Sequence, residues 1–113
     1  MASSNVQLVD DFQTTVASTP QLAYTSPAGG KGTLITNCVA SNDTILTRSY
    51  SAYVTSTSGL PGRPEIPERS ILTKDTDISP ELSGRFLPPG AELYFQTSAA
   101  SSIAFFVSGR EFV

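Results

Sequence analysis

The sequence predicts an all-β fold: an antiparallel β-sandwich or jelly roll over residues 19–113 with an extended N-terminal arm over residues 1–18. Three features point to it. Short stretches alternate apolar and polar side chains at period two, as half-buried strands require. Turn signals recur roughly every ten residues, the rhythm of sandwiches and barrels. Charged residues are only 15% of the chain, and Ser and Thr supply much of the remaining polarity, which favours strands and turns over helices. No heptad, internal repeat or βαβ alternation competes with this reading.

In the arm, Ser4 followed three residues later by Gln7 has the form of a capping box, which would put Leu8 and Phe12 on one face of a short helix. Thr14, Thr15 and Val16 are poor helix formers, so an extended or irregular segment is expected instead. Val6, Leu8, Val9 and Phe12 then need burial, either against their own domain or on a neighbouring subunit. The second alternative makes these four the first choice of partner-binding residues. It also expects that a chain lacking residues 2–16 still folds.

The body opens with "QLAYTSP" (21–27), a short strand stopped by Pro27, and "AGGKG" (28–32), a turn. "TLITNCVASN" (33–42) alternates with Leu34, Thr36, Cys38 and Ala40 on one face and Ile35, Asn37 and Val39 on the other. Cys38 reads as a small core residue. After a turn at "SNDT" (41–44), "TILTRSYSAYVTST" (44–57) is a long strand rich in β-branched and aromatic residues. In "SGLPGRPEIPER" (58–69), Pro61, Pro64 and Pro67 recur every third residue. That spacing suits polyproline II, here a rigid connection between two sheets. Leu60, Pro61, Pro64 and Pro67 are the second choice of partner-binding residues.

"RSILTKD" (69–75) is a strand, "TDISPELSG" (76–84) a loop or edge segment, and "RFLPPG" (85–90) a turn into a last hairpin. In its first strand Leu93 and Phe95 face one way, and Glu92, Tyr94 and Gln96 the other. In its second, Ile103, Phe105 and Val107 oppose Ala104, Phe106 and Ser108, with Ser98 to Ser102 as the link. Tyr94 and Phe106 fall on the polar faces, so part of the chain or another subunit is expected to cover them.

The chain carries a net charge of −3, and its seven basic residues are scattered singly, so no nucleic-acid partner is expected. Its longest pure apolar run, Ile103 to Val107, is far short of a membrane span, so no membrane partner is expected either. One cysteine allows no intrachain disulfide, and "MASSNVQLVDDF" has no signal-peptide pattern, which fits synthesis in a reducing cytoplasm. With no His, no nucleophile has its commonest activating base. Lys31 and Lys74 sit in polar turns, and the acid pairs Asp10/Asp11 and Asp75/Asp77 read as solvated. "KDTDIS" lacks the third acid and the Gly of a calcium loop, "AGGKG" lacks the context of a phosphate loop, and "NDT" (42–44) is only a formal glycosylation match. The expectation is a protein that is not an enzyme, with no catalytic residue, metal or cofactor.

The C-terminal stretch resembles a pattern of small tailed-bacteriophage virion proteins. There, a Leu-x-x-Gly-(Asp/Glu)-x-Leu turn is followed by a Ser-Ala-Ala-Ser-like link and a last strand ending in Val-Ser-Gly-x-Glu. The matching residues are Leu87, Gly90, Glu92 (displaced by one), Leu93, Ser98, Ala99, Ala100, Ser101, Val107, Ser108, Gly109 and Glu111. Upstream, "LAYTSPAGGKGTLITNCVASN" is similar to that family's first hairpin, a Leu-Tyr-x-x-Pro-Ala-Gly motif followed by a strand ending in Asn. Together these cover about two thirds of the chain; Tyr50 to Glu81 matches nothing. The resemblance implies a capsid decoration, or cement, protein on the virion surface. Such a protein would form a homotrimer or homodimer and bind across neighbouring major capsid subunits. A tail or head–tail connector component is the alternative. A carbohydrate-binding adhesion module is a third, with Tyr50, Tyr53 and Tyr94 as its aromatic platform.

Overall fold

The computed structural model describes residues 5–42, 44–55, 66–71, 75–78, 82 and 84–112. Nine strands and no helix are found among them: β1 (Asn5–Phe12), β2 (Gln21–Thr25), β3 (Gly32–Asn42), β4 (Arg48–Thr55), β5 (Ile66–Ile71), β6 (Thr76–Ile78), β7 (Phe86–Leu87), β8 (Glu92–Thr97) and β9 (Ile103–Phe112). They form two antiparallel sheets packed face to face, a β-sandwich-like arrangement. One sheet has the order β1-β9-β3-β6, with β7 also on β3, and the other has the order β2-β8-β4-β5. The pairs are nested in sequence: β1 with β9, β2 with β8, β3 with β6, and β4 with β5.

The core is what the period-two pattern supplies from each inner face. Leu93 and Phe95 of β8 and Ile103, Phe105 and Val107 of β9 are fully buried, as their alternation predicts. These two strands do not form a hairpin, however. β8 has β2 and β4 on its two edges, and β9 has β1 and β3, so neither has an edge left for the other. Ser98–Ser102 instead arches from one sheet to the opposite one. The Phe95 and Phe105 rings stack across the interior, 3.9 Å apart and 9° from parallel. Tyr50 meets Phe105 edge-on at 5.4 Å, and its hydroxyl donates to Asp77 on β6. Asp77 is therefore a structural acceptor rather than a solvated loop acid.

Residues 5–12 of the expected arm belong to the first sheet as its edge strand. Val9 pairs with Val107 and is 4% exposed, and the Phe12 ring lies 6.3 Å from Phe95. Leu8 packs on the core, whereas Val6 stays exposed. Leu8, Val9 and Phe12 thus find burial on their own chain. Removing 2–16 would strip this edge strand from the sheet. As an edge, β1 carries Asp10 and Asp11 and two register irregularities, features that discourage pairing with a further strand.

Two strand boundaries shift for identifiable reasons. β3 contains a bulge between Ile35 and Asn37, so the buried set is Ile35, Cys38 and Ala40, while Thr36 and Asn37 are exposed. The expected face shared by Leu34, Thr36, Cys38 and Ala40 is broken there, because one extra residue reverses the alternation. β4 begins at Arg48 rather than Thr44. Ahead of it, the buried Asn42 donates through Nδ2 to the carbonyls of Leu46 and Ile71, and its Oδ1 accepts the Thr44 N–H. This Asx-type hub bends residues 44–47 and leaves Ile45 80% and Leu46 54% exposed. Buried and committed in this way, Asn42 is no glycan acceptor.

β5 begins at Ile66, earlier than expected, and contains Pro67. Pro67 sits where the pairing with β4 shifts register, on the edge strand of its sheet, the setting in which a residue without an N–H is tolerated. Leu60, Pro61 and Pro64 lie outside the described residues. The Pro-Pro-Gly turn is as expected: Ala91 N–H donates to the Pro88 carbonyl at 3.0 Å, and Gly90 takes φ 84°, the conformation a type II turn requires at that position. This turn carries the chain from β7 in one sheet to β8 in the other.

Candidate functional site

Two polar clusters flank opposite ends of β8. At its Glu92 end, Tyr24 from β2, Ser26, Thr33 from β3 and Glu111 from β9 meet. The Tyr24 hydroxyl donates to Glu111 Oε2, and Thr33 Oγ1 lies 3.0 Å from Tyr24 Oη and 2.9 Å from Ser26 Oγ. Ser26 and Thr33 are fully buried. Burial, and then the adjoining Glu111 carboxylate, push the Tyr24 hydroxyl up to about 12, so it stays protonated and able to donate. The cluster links the two sheets, because β2 belongs to one and β3 and β9 to the other. Its members satisfy one another.

At the Thr97 end lies a cavity of about 240 Å³ on the outer side of the second sheet. The side is fixed by alternation. Tyr50 and Ala52 enter the core, so Ser49, Ser51 and Tyr53 point away from it. Register places Ser51 opposite Gln96 and Tyr53 opposite Tyr94. Ser18 and Ser98 complete the rim. Ser18 holds φ at 55°, in the left-handed region, and its N–H donates to the Thr97 carbonyl. The Tyr53 hydroxyl donates to Gln96 Oε1 at 3.1 Å, and the Ser49 N–H donates to Ser98 Oγ at 3.0 Å.

The arch beneath this cavity is braced in turn. Ser101 N–H donates to the Thr14 carbonyl, Ser98 N–H to the Ser49 carbonyl and Ser102 Oγ to the Ala99 carbonyl, while Thr14 and Thr97 share a buried hydroxyl–hydroxyl bond.

The three tyrosines named as a possible aromatic platform do not lie together on the surface. Tyr50 is in the core at 1% exposure. Tyr94 is 8% exposed and donates to Glu92 Oε1, and only Tyr53 of the three borders the cavity with partial exposure. Tyr94 is thus covered within the chain. Sequence reasoning missed Ser18, Ser51 and Gln96. Ser51 and Gln96 sit on outward positions of recognisable strands, but nothing local tells that their strands are neighbours. Among the described residues, no group of three or more His, Cys, Asp or Glu could hold a metal ion, and no helix is long and apolar enough to cross a membrane.

Compared with known proteins, the chain matches no family model, no curated protein and no solved structure.

Proposed function

We propose that this chain is a structural virion component, a jelly-roll decoration protein that binds across neighbouring major capsid subunits of a phage head. The observation that carries the reading is the bond between Tyr24 and Glu111. The resemblance to small phage virion proteins rests on two motifs far apart in sequence, one containing Tyr24 and the other ending in Glu111. Their meeting in one buried cluster supports treating them as a single fold signature rather than two unrelated turns.

The nested strand pairs support the jelly-roll assignment, since a rolled-up long ribbon pairs its first strand with its last and so on inward; viral capsid domains use this architecture. Exposed large apolar side chains, Ile45 and Leu46 on the β3–β4 loop and Val6 on β1, give the module points at which to grip protein neighbours. Assembly as a homotrimer or homodimer would multiply such weak contacts by avidity.

The test is co-sedimentation with expanded capsid shells, together with the copy number of this polypeptide against the major coat protein in purified particles. Shell binding with hundreds of copies is the expected result. A count of about three to twelve would assign the chain to the tail or connector. A double substitution Ile45→Asp with Leu46→Asp should abolish binding while leaving the strand signature in circular dichroism unchanged.

A further inference from the structure

The cavity at the Thr97 end of β8 has the makings of a ligand site, and three observations about it are independent. First, Ser51 borders it, and although the residue as a whole is only 6% exposed, its hydroxyl is not sealed off from the cavity. A hydroxyl open to a cavity can bond an occupant as readily as it bonds water. Second, Gln96 is held by the Tyr53 hydroxyl at its Oε1, which leaves both N–H donors of its amide uncommitted beside Ser51. Third, Ser18 at the rim is kept at φ 55°, a conformation costly for a residue with a side chain and one that concentrates at ligand sites.

The lining defines the ligand's chemistry. Among the described residues it is made of hydroxyls, one amide and the Tyr53 ring, with no charged side chain. Among the described residues an anion would meet no cation, and a cation no carboxylate. A wholly apolar molecule would leave Ser51 and the Gln96 amide unpaired. What remains is an uncharged molecule carrying donors and acceptors around its edge and a CH face for the Tyr53 ring. The volume of about 240 Å³ is below the roughly 300–1,000 Å³ of sites for drug-sized molecules, so it admits a single ring.

We propose that this pocket binds one neutral hexopyranose unit, free or as the terminal residue of a glycan, with Gln96 and Ser51 as its hydrogen-bonding floor and Tyr53 as its stacking wall. This binding site is separate from the shell-binding role and does not depend on it.

The experiment is a titration of the isotope-labelled full chain, followed by amide NMR, with the methyl glycosides of glucose, galactose, mannose and N-acetylglucosamine, and with glucuronate as the charged control. Saturable shifts confined to residues 18, 49–53 and 96–98 are expected with at least one neutral sugar. Glucuronate should bind about tenfold more weakly. Gln96→Leu should weaken binding about tenfold, and Ser51→Val, which fills the floor with methyls, should abolish it; both should keep the native pattern of dispersed amide signals. A disaccharide ending in the preferred sugar should bind within a few-fold of its methyl glycoside. Absence of any saturable shift overturns the proposal. So do shifts elsewhere on the chain, unchanged affinity in the two substituted proteins, or a more than tenfold gain from the second ring.

Discussion

At its Glu92 end, β8 borders a cluster in which Tyr24, Thr33, Ser26 and Glu111 take up one another's hydrogen-bonding capacity, with Thr33 and Ser26 wholly buried. At its Thr97 end, a few residues away on the same strand, Ser51 and the Gln96 amide are equally polar, but they border a cavity and part of their capacity is unspent. The chemistry is the same at both ends; the accounting differs. A hydroxyl whose partner is another side chain acts as a bolt between sheets. One whose partner is missing from the fold is available to something outside it. Composition alone, rich in Ser and Thr, cannot separate the two uses.

The sharpest way to break the closed end is Gly109→Ala. A Cβ there would come within 2.3 Å of the Leu34 carbonyl oxygen and 2.9 Å of Leu8 Cδ1, between the strands on both sides of β9. β9 also carries Glu111 to Tyr24, so displacing it should cost about 3 kcal/mol and loosen the cluster, read by urea unfolding. Next in size is Thr33→Val, nearly isosteric, which leaves the Tyr24 and Ser26 hydroxyls each one partner short. A loss of about 2 kcal/mol is expected by the same measurement.

The third test is alkaline. The Tyr24 pKa is about 12 in the folded chain against 10.0 for an unperturbed tyrosine, so folding favours its protonated form. That contribution is complete below pH 10 and is lost as pH rises from 10 to 12. Stability plotted against pH should fall less steeply over that window in Tyr24→Phe than in the native chain; parallel curves would contradict the assignment. The smallest effect belongs to the open end. Ser51→Ala removes a hydroxyl that opens on the cavity, so it should change the unfolding free energy by no more than about 0.5 kcal/mol. A loss as large as that of Thr33→Val would erase the distinction between the two ends.

The period-two pattern made the inner faces legible. Leu93, Phe95, Ile103, Phe105 and Val107 were readable as core from alternation alone, and the Pro88–Gly90 turn from its residues. Partnership was not legible, because alternation tells a strand which way to face and not which strand lies beside it. The same pattern serves a hairpin and an inter-sheet arch, and here the arch prevails because other strands already occupy both edges of β8 and β9. The bulge at Thr36 was hidden for a related reason: one inserted residue leaves no mark in composition. For the same cause the cavity could not be read in advance, since Ser18, Ser51 and Gln96 come from three separate stretches that only the pairing of β4 with β8 and the link after β1 bring together.

Because Asn5 of β1 pairs with Arg110 of β9, the first sheet cannot be completed until the far end of the chain has emerged from the ribosome. Nearly every seam in the molecule is likewise non-local, so its assembly should be slow for its size and should run from the middle outward, the β4–β5 pair zipping first and the outermost pair last. During synthesis the apolar β1 stretch therefore waits unshielded, and a chaperone that holds such stretches would be expected to raise the yield of native protein.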